Sequence, residues 1–286
     1  MKRVLVTGGA GFIGSHTCKA LAQAGYEPIV YDDLSAGYSK LVKWGPLAEG
    51  DTRDVHRLGD VFRRYRPSAV VHFAARIAVG ESVTDPASHY STNVTGTLTV
   101  MEAMRAAGVD RIVFSSSAAV YGIPQTELVA ESHALAPINP YGRTKLIVEQ
   151  ALADFSGAYG LRSLALRYFN AAGADPEGDT GELHNPETHL IPLALDAVTR
   201  PDRPLTVFGQ DYVTPDGTCV RDYVHVSDLA QAHVLALKLL ESGEAPLALN
   251  VGTGRGYSVR EVIGAVERVT NCRVPCRYGD RRSGDP

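Results

Sequence analysis

The chain has 286 residues, 44% of them hydrophobic and 21% charged, which suits a globular protein with one large core or two joined domains. A formal net charge of −4 offers no basic face to nucleic acid, and no apolar run approaches the ~20 residues that span a bilayer. Four scattered cysteines exclude a disulfide framework. A small-molecule ligand and a cytoplasmic location are therefore expected.

The opening "MKRVLVTGG" carries two basic residues before an apolar run, as a leader would, but the run stops at Thr7, far short of a ~7–15-residue apolar core. It reads as a buried strand over 3–8. A helix over 15–25, a strand over 27–33, a helix over 56–65 and a strand over 68–75 follow. Next come a helix over 95–108, a strand over 111–117, a helix over 141–160 and a strand over 161–170. Strands that are apolar throughout, alternating with helices, predict an α/β fold: a doubly wound parallel sheet covered on both faces. There is no internal repeat.

After Asn170 the texture changes. Residues 171–189 are rich in Gly, Pro and acidic residues and read as a loop facing a ligand. The expected division is a Rossmann domain over 1–170, rejoined by 216–250, and a smaller C-terminal substrate-binding lobe over 171–286. The chain ends at "RRSGDP" with no apolar segment closing it, which reads as a lobe cut short or an unusually short tail.

"TGGAGFIG" directly follows the first strand. Gly8, Gly11 and Gly14 permit a tight turn and close approach of backbone N–H groups to a pyrophosphate, and the helix opening near Phe12 adds its dipole. Asp32 ends the second strand, 18 residues beyond Gly14, where a carboxylate accepts from both ribose hydroxyls of NAD and repels a 2′-phosphate. Asp33 shares or swaps that role. Asp51, with Thr52 beside it, falls where a strand end meets the adenine edge.

Three serines, 115 to 117, end the fifth strand at the carboxyl edge where such sheets bind ligands. "NPYGRTKL" then places Tyr141 and Lys145 one helical turn apart. A tyrosinate base near neutral pH needs ~4 kcal/mol of help, and a cation ~5 Å away supplies about 3 kcal/mol. Lys145 is one such cation and an oxidised nicotinamide ring is another. No metal site is expected, since Cys272 and Cys276 lack a second pair, and His184 and His189 lack the i, i+4 spacing of a helical metal pair.

In "VLVTGGAGFIGSHT", "VHFAA", "VGESV", "SSSAAVYG", "NPYGRTK", "LRYFN", "DGTCVRDYVHV" and "RRSGDP" the chain resembles the extended short-chain dehydrogenase/reductase family, in its nucleotide-sugar 4-epimerase branch. The resemblance runs from residue 2 to the last residue. It implies NAD-dependent interconversion of UDP-galactose and UDP-glucose through a 4-keto sugar, by a homodimer meeting through the helices after Asn93 and after Tyr141. It implies Ser117, Tyr141 and Lys145 as catalytic residues, and Phe12, Ile13, Asp32, Asp51, Phe73, Ala74, Ala75, Asn93, Ser115 and Tyr168 around the NAD. For the UDP-sugar it implies Asn170, His189, Leu190, Arg221, Tyr223, Arg282 and Asp285. Related dehydratases need an Asp-Glu pair where Ala118 and Ala119 stand, so dehydration is not expected. Many relatives carry a lysine where Ile77 stands, with Arg76 beside it as the substitute. The rival readings are a 4-epimerase of another UDP-sugar and a non-catalytic NAD sensor.

Overall fold

The computed structural model describes residues 1–243 and 247–282. Strand β1 (Lys2–Thr7) leads through the glycine turn into α1 (Phe12–Gln23), followed by β2 (Tyr26–Asp32) and β3 (Leu47–Glu49). Helix α2 (Val55–Tyr65) connects to β4 (Ala69–His72). Short helices α3 (Val79–Thr84) and α4 (Pro86–His89) run through a π-helical turn, Tyr90–Thr95, into α5 (Gly96–Ala107). Then come β5 (Arg111–Ser117), α6 (Pro140–Tyr159), β6 (Arg162–Tyr168) and β7 (Asn170–Ala172). Helix α7 (Leu190–Thr199), β8 (Leu205–Phe208), β9 (Val220–His225) and α8 (Val226–Ser242) follow. The last elements are β10 (Ala248–Val251), β11 (Gly256–Ser258), α9 (Val259–Thr270) and β12 (Cys276–Gly279).

Seven parallel strands form the main sheet in the order β10-β6-β5-β4-β1-β2-β3. The chain winds outward from β1 in both directions, so the crevice between β1 and β4 is the switch point where such sheets take a ligand. Period-two alternation sorts each strand between two cores. Val4 and Val6 face α1 and α8, in one core with Leu21, Val234 and Leu237. Leu5 faces α2, α5 and α6, in another with Phe62, Met101 and Val148. Both faces being covered is why these strands read as unbroken apolar runs.

The stretch expected as one strand over 161–170 divides, with β6 in the main sheet and β7 in a three-stranded sheet ordered β11-β9-β7. Within 216–250, β9 joins that small sheet, α8 packs on α1, and β10 extends the main sheet beside β6. Polar residues interrupt "VRDYVH", so it could not be covered on both faces as a central strand. A third core of Ala194, Ala197, Leu205, Val207 and Val266 joins α7, β8 and α9.

Two histidines are sealed in neutral form. Burial pushes His72 down to about 3, with Lys145 second; its ring lies between Thr7 Oγ1 (2.6 Å) and Thr97 Oγ1 (2.8 Å). Burial pushes His233 down to about 4. Below their unfolded value near 6.5 the unfolded chain binds protons that the folded chain refuses, so stability falls as pH falls through this window. His184 has the opposite sign, because Glu182 raises its pKa, but its share has nearly saturated below pH 6. From pH 6.0 to 5.0 the two sealed histidines should together cost about 2 kcal/mol. Urea unfolding at the two pH values checks this, and equal unfolding free energies would contradict it.

Candidate functional site

The glycine turn is shaped by two contacts that no side chain could occupy. Gly8 has φ +71°, and a Cβ there would stand 2.6 Å from Ala74 N across the β1–β4 crevice. A Cβ on Gly14 would stand 2.2 Å from Gly8 O, so the helix begins pressed against the turn. The first α-helical bond is Ser15 N to Gly11 O, 2.9 Å, which leaves the N–H groups of Phe12, Ile13 and Gly14 at the open end of α1. Close backbone and a positive dipole end make this cradle fit a dinucleotide pyrophosphate.

The expected ribose carboxylate also ties the loop together. Asp32 accepts from Ala10 N at 3.0 Å and Leu34 N at 2.9 Å, and burial pushes its pKa up. Asp33 accepts from the N–H and hydroxyl of Ser35, a turn-capping arrangement. Arg53 pairs with Asp51 and holds its carboxyl below the usual range, while Thr52 beside it is buried. Phe73, Ala74 and Ala75 follow β4, and the Phe73 ring lies 4.6 Å from that of His233. Asn93, on the π-helical turn, accepts from Arg76 N at 2.8 Å and donates to Thr144 Oγ1 at 3.0 Å, pinning that loop to α6. Arg76 pairs with Glu81, and Ile77 is exposed.

Asn139 caps α6 by accepting from Gly142 N at 2.8 Å, and Pro140 occupies the first turn, where its missing N–H costs nothing. This fixes the helix phase that turns Tyr141 and Lys145 toward the sheet edge. The Ser117 side chain acts on the Tyr141 phenol and draws its pKa down. Lys145 Nζ is 5.8 Å from the Tyr141 ring centroid and donates to Ser115 O at 2.7 Å. The Ser115 and Tyr168 hydroxyls are hydrogen-bonded. Burial raises the Tyr141 pKa and outweighs Ser117. Burial lowers Lys145 to about 7, with the Glu149 charge pulling it back up. The protein's own groups thus hold the phenol protonated and the ammonium loosely charged, and a further cation beside them favours tyrosinate.

Asn170 on β7 lies opposite Tyr223 on β9. Burial pushes Tyr223 up to about 12, and the charges of Arg221 and Arg282 both act on it in the opposite direction. The fold therefore gathers Asn170, Arg221, Tyr223 and Arg282. His189 is the N-cap residue of α7 and Leu190 its first helical residue. Asp285 lies outside the described residues.

Three features escaped the sequence reading. Glu149, one turn beyond Lys145, forms a buried ion pair with Arg167 at 2.6 Å, and Arg167 donates to Tyr121 Oη at 2.9 Å. The i+4 spacing from Lys145 was the available signal. The acidic loop after β7 is latched to α1, with Lys19 Nζ 2.8 Å from Asp175, 2.6 Å from Glu177 and 2.9 Å from Asp179. Finally, His184 and His189 meet Glu182 and Glu187 in one cluster. These last two sets join residues through loop folding, which no periodic pattern encodes.

A glycine cradle at the switch point, with serine, tyrosine and lysine on the same sheet edge, is the arrangement of a nicotinamide-dinucleotide enzyme. The chain belongs to the NAD dependent epimerase/dehydratase family, whose model matches residues 4–252. It is 57% identical over 282 residues to a UDP-glucose 4-epimerase of Rhizobium leguminosarum bv. trifolii, covering 99% of this chain and 86% of that protein. The crystal structure of UDP-glucose 4-epimerase from Brucella ovis in complex with NAD superimposes with a TM-score of 0.96 at 54% identity, covering 100% of this chain and 88% of that one. The Bifidobacterium longum enzyme in complex with NAD+ and UDP gives a TM-score of 0.94 at 38% identity, covering 99% and 88%. No helix among the described residues is long and apolar enough to cross a membrane.

Proposed function

We propose that this chain is an NAD-dependent 4-epimerase of UDP-hexoses that interconverts UDP-galactose and UDP-glucose. The observation that carries it is Lys145 beside Tyr141, with Ser117 acting on the same phenol, on the sheet edge that also carries the glycine cradle. Gly8, Gly11, Phe12, Ile13 and Gly14 hold the pyrophosphate, and Asp32 meets the adenosine ribose. The bound dinucleotide supplies a hydride acceptor, the same hydride for return, and a cationic ring.

Tyr141 accepts the proton of the sugar 4-hydroxyl as C4 loses its hydride and the C4–O bond becomes a carbonyl. Ser117 holds that oxygen in hydrogen-bonding range throughout. After the 4-keto sugar turns over, C4 regains hydride on its opposite face and Tyr141 returns the proton. Nothing is consumed. Ala118 and Ala119 can neither give nor take a proton, which leaves the sequence of steps without an elimination. Arg221 and Arg282 suit the UDP pyrophosphate through charge-assisted, forked hydrogen bonds. Asn170, His189, Leu190, Tyr223 and Asp285 complete the substrate side. We assign the enzyme to the cytoplasm, as a homodimer through α5 and α6.

The test mixes NAD-loaded protein with UDP-galactose and separates the sugar nucleotides. UDP-glucose should accumulate to equilibrium with no external reductant, and its absence would sink the assignment. A parallel arm with UDP-N-acetylgalactosamine reads the sugar range.

A further inference from the structure

Between β7 and α7 the loop folds Glu182, His184, Glu187 and His189 onto one point, with one ligand atom from each lying within 4.8 Å of all the others. His184 Nδ1 stands 3.4 Å from Glu182 Oε1 and 3.4 Å from Glu187 Oε2. Zinc bonds of ~2.0–2.1 Å at tetrahedral angles place ligand atoms roughly 3.3–3.4 Å apart. Two edges of such a tetrahedron are therefore present already. The contact from His189 Nδ1 to Glu182 is a hydrogen bond, closer than a ligand edge, and swinging the broad terminal torsion of the carboxylate opens it.

The surroundings of the two carboxylates suit a cation. Among the described residues no lysine or arginine pairs with Glu182 or Glu187; their partners are the two imidazoles and the N–H groups of Thr188 and His189. The Glu182 side chain is only 10% exposed, and the Phe12 ring lies edge-on to His184 at 6.4 Å. A divalent cation seated among these four side chains balances both carboxylates at once.

We propose that Glu182, His184, Glu187 and His189 bind one divalent cation of the zinc class. Two nitrogens and two oxygens close a four-coordinate structural site. The ion fixes the loop between the cofactor-side helix α1 and the first turn of α7. The site adjoins the proposed substrate side through His189, and its test reads metal uptake and needs no turnover.

Chelator-treated wild-type protein is titrated with Zn2+ by calorimetry, alongside the His184→Gln/Glu187→Gln double variant. Wild type should bind one equivalent per chain, and the variant should bind at least about 100-fold more weakly. Absence of stoichiometric uptake by wild type would mean a ring of hydrogen bonds held by protonated imidazoles, and would overturn the site. Equal affinity in the variant would also overturn it. X-ray absorption of zinc-loaded wild type gives a reading that does not depend on the variant folding. Two imidazoles and oxygens without sulfur support the site, whereas a sulfur shell assigns the metal to Cys272 and Cys276 and rejects it.

Discussion

Tyr141→Phe should reduce epimerase turnover by about 10³-fold or more while NAD stays bound, because positioned proton transfer contributes about 10²–10⁴-fold and no other group takes its place. Ser117 is the hydroxyl that acts on the phenol, but a serine is far too weak a base to replace a tyrosinate. The substitution removes one oxygen and keeps the ring that packs at the start of α6. The glycine cradle is formed by β1, α1 and the turn after β4, none of which Tyr141 builds. Cofactor stoichiometry after gel filtration should therefore match wild type. Turnover within tenfold of wild type would remove Tyr141 as the base, whereas loss of NAD would assign the residue a structural role instead.

Much of this site could be read from residues because local rules generate it. The glycine spacing works only where backbones touch, and the two contacts at Gly8 and Gly14 are of that kind. Tyr141 and Lys145 share a helix face by geometry alone, and Asn139-Pro140 starts that helix at the required phase. The main sheet was legible for the same reason, since strands covered on both faces leave long apolar runs. What escaped the sequence depends on contacts distant along the chain. β7 pairs with β9 across more than a helix of intervening sequence, and nothing local in "NAA" announces it. Asp33 and Asp51 show how two carboxylates in plausible cofactor positions can also serve a turn and an arginine, which sequence spacing does not distinguish. His184 and His189 looked unsuited to act together because helical spacing was the only geometry a sequence could test. An irregular loop brings them together instead.

Lys145→Met carries the second large effect, and its pH dependence separates electrostatics from simple damage. Methionine nearly conserves the volume of a side chain that is 3% exposed and removes its charge. A cation at ~5–6 Å and an effective dielectric near 20 is worth about 3 kcal/mol to a tyrosinate. Turnover at pH 7 should accordingly fall about 10²-fold. The sign of the pH effect follows from the charge removed. Without the ammonium, tyrosinate is harder to form, so the apparent pKa of the base should rise by about 2. The deficit should then shrink steadily as pH is raised from 7 to 9. Wild type should lack this gain, because Lys145, lowered to about 7 by burial, itself loses charge as pH rises above 7. A kcat–pH profile of the variant parallel to that of wild type would show that Lys145 acts by some means other than its charge on Tyr141. A profile displaced to alkaline pH, with NAD retained, would place the ammonium in direct electrostatic control of the base.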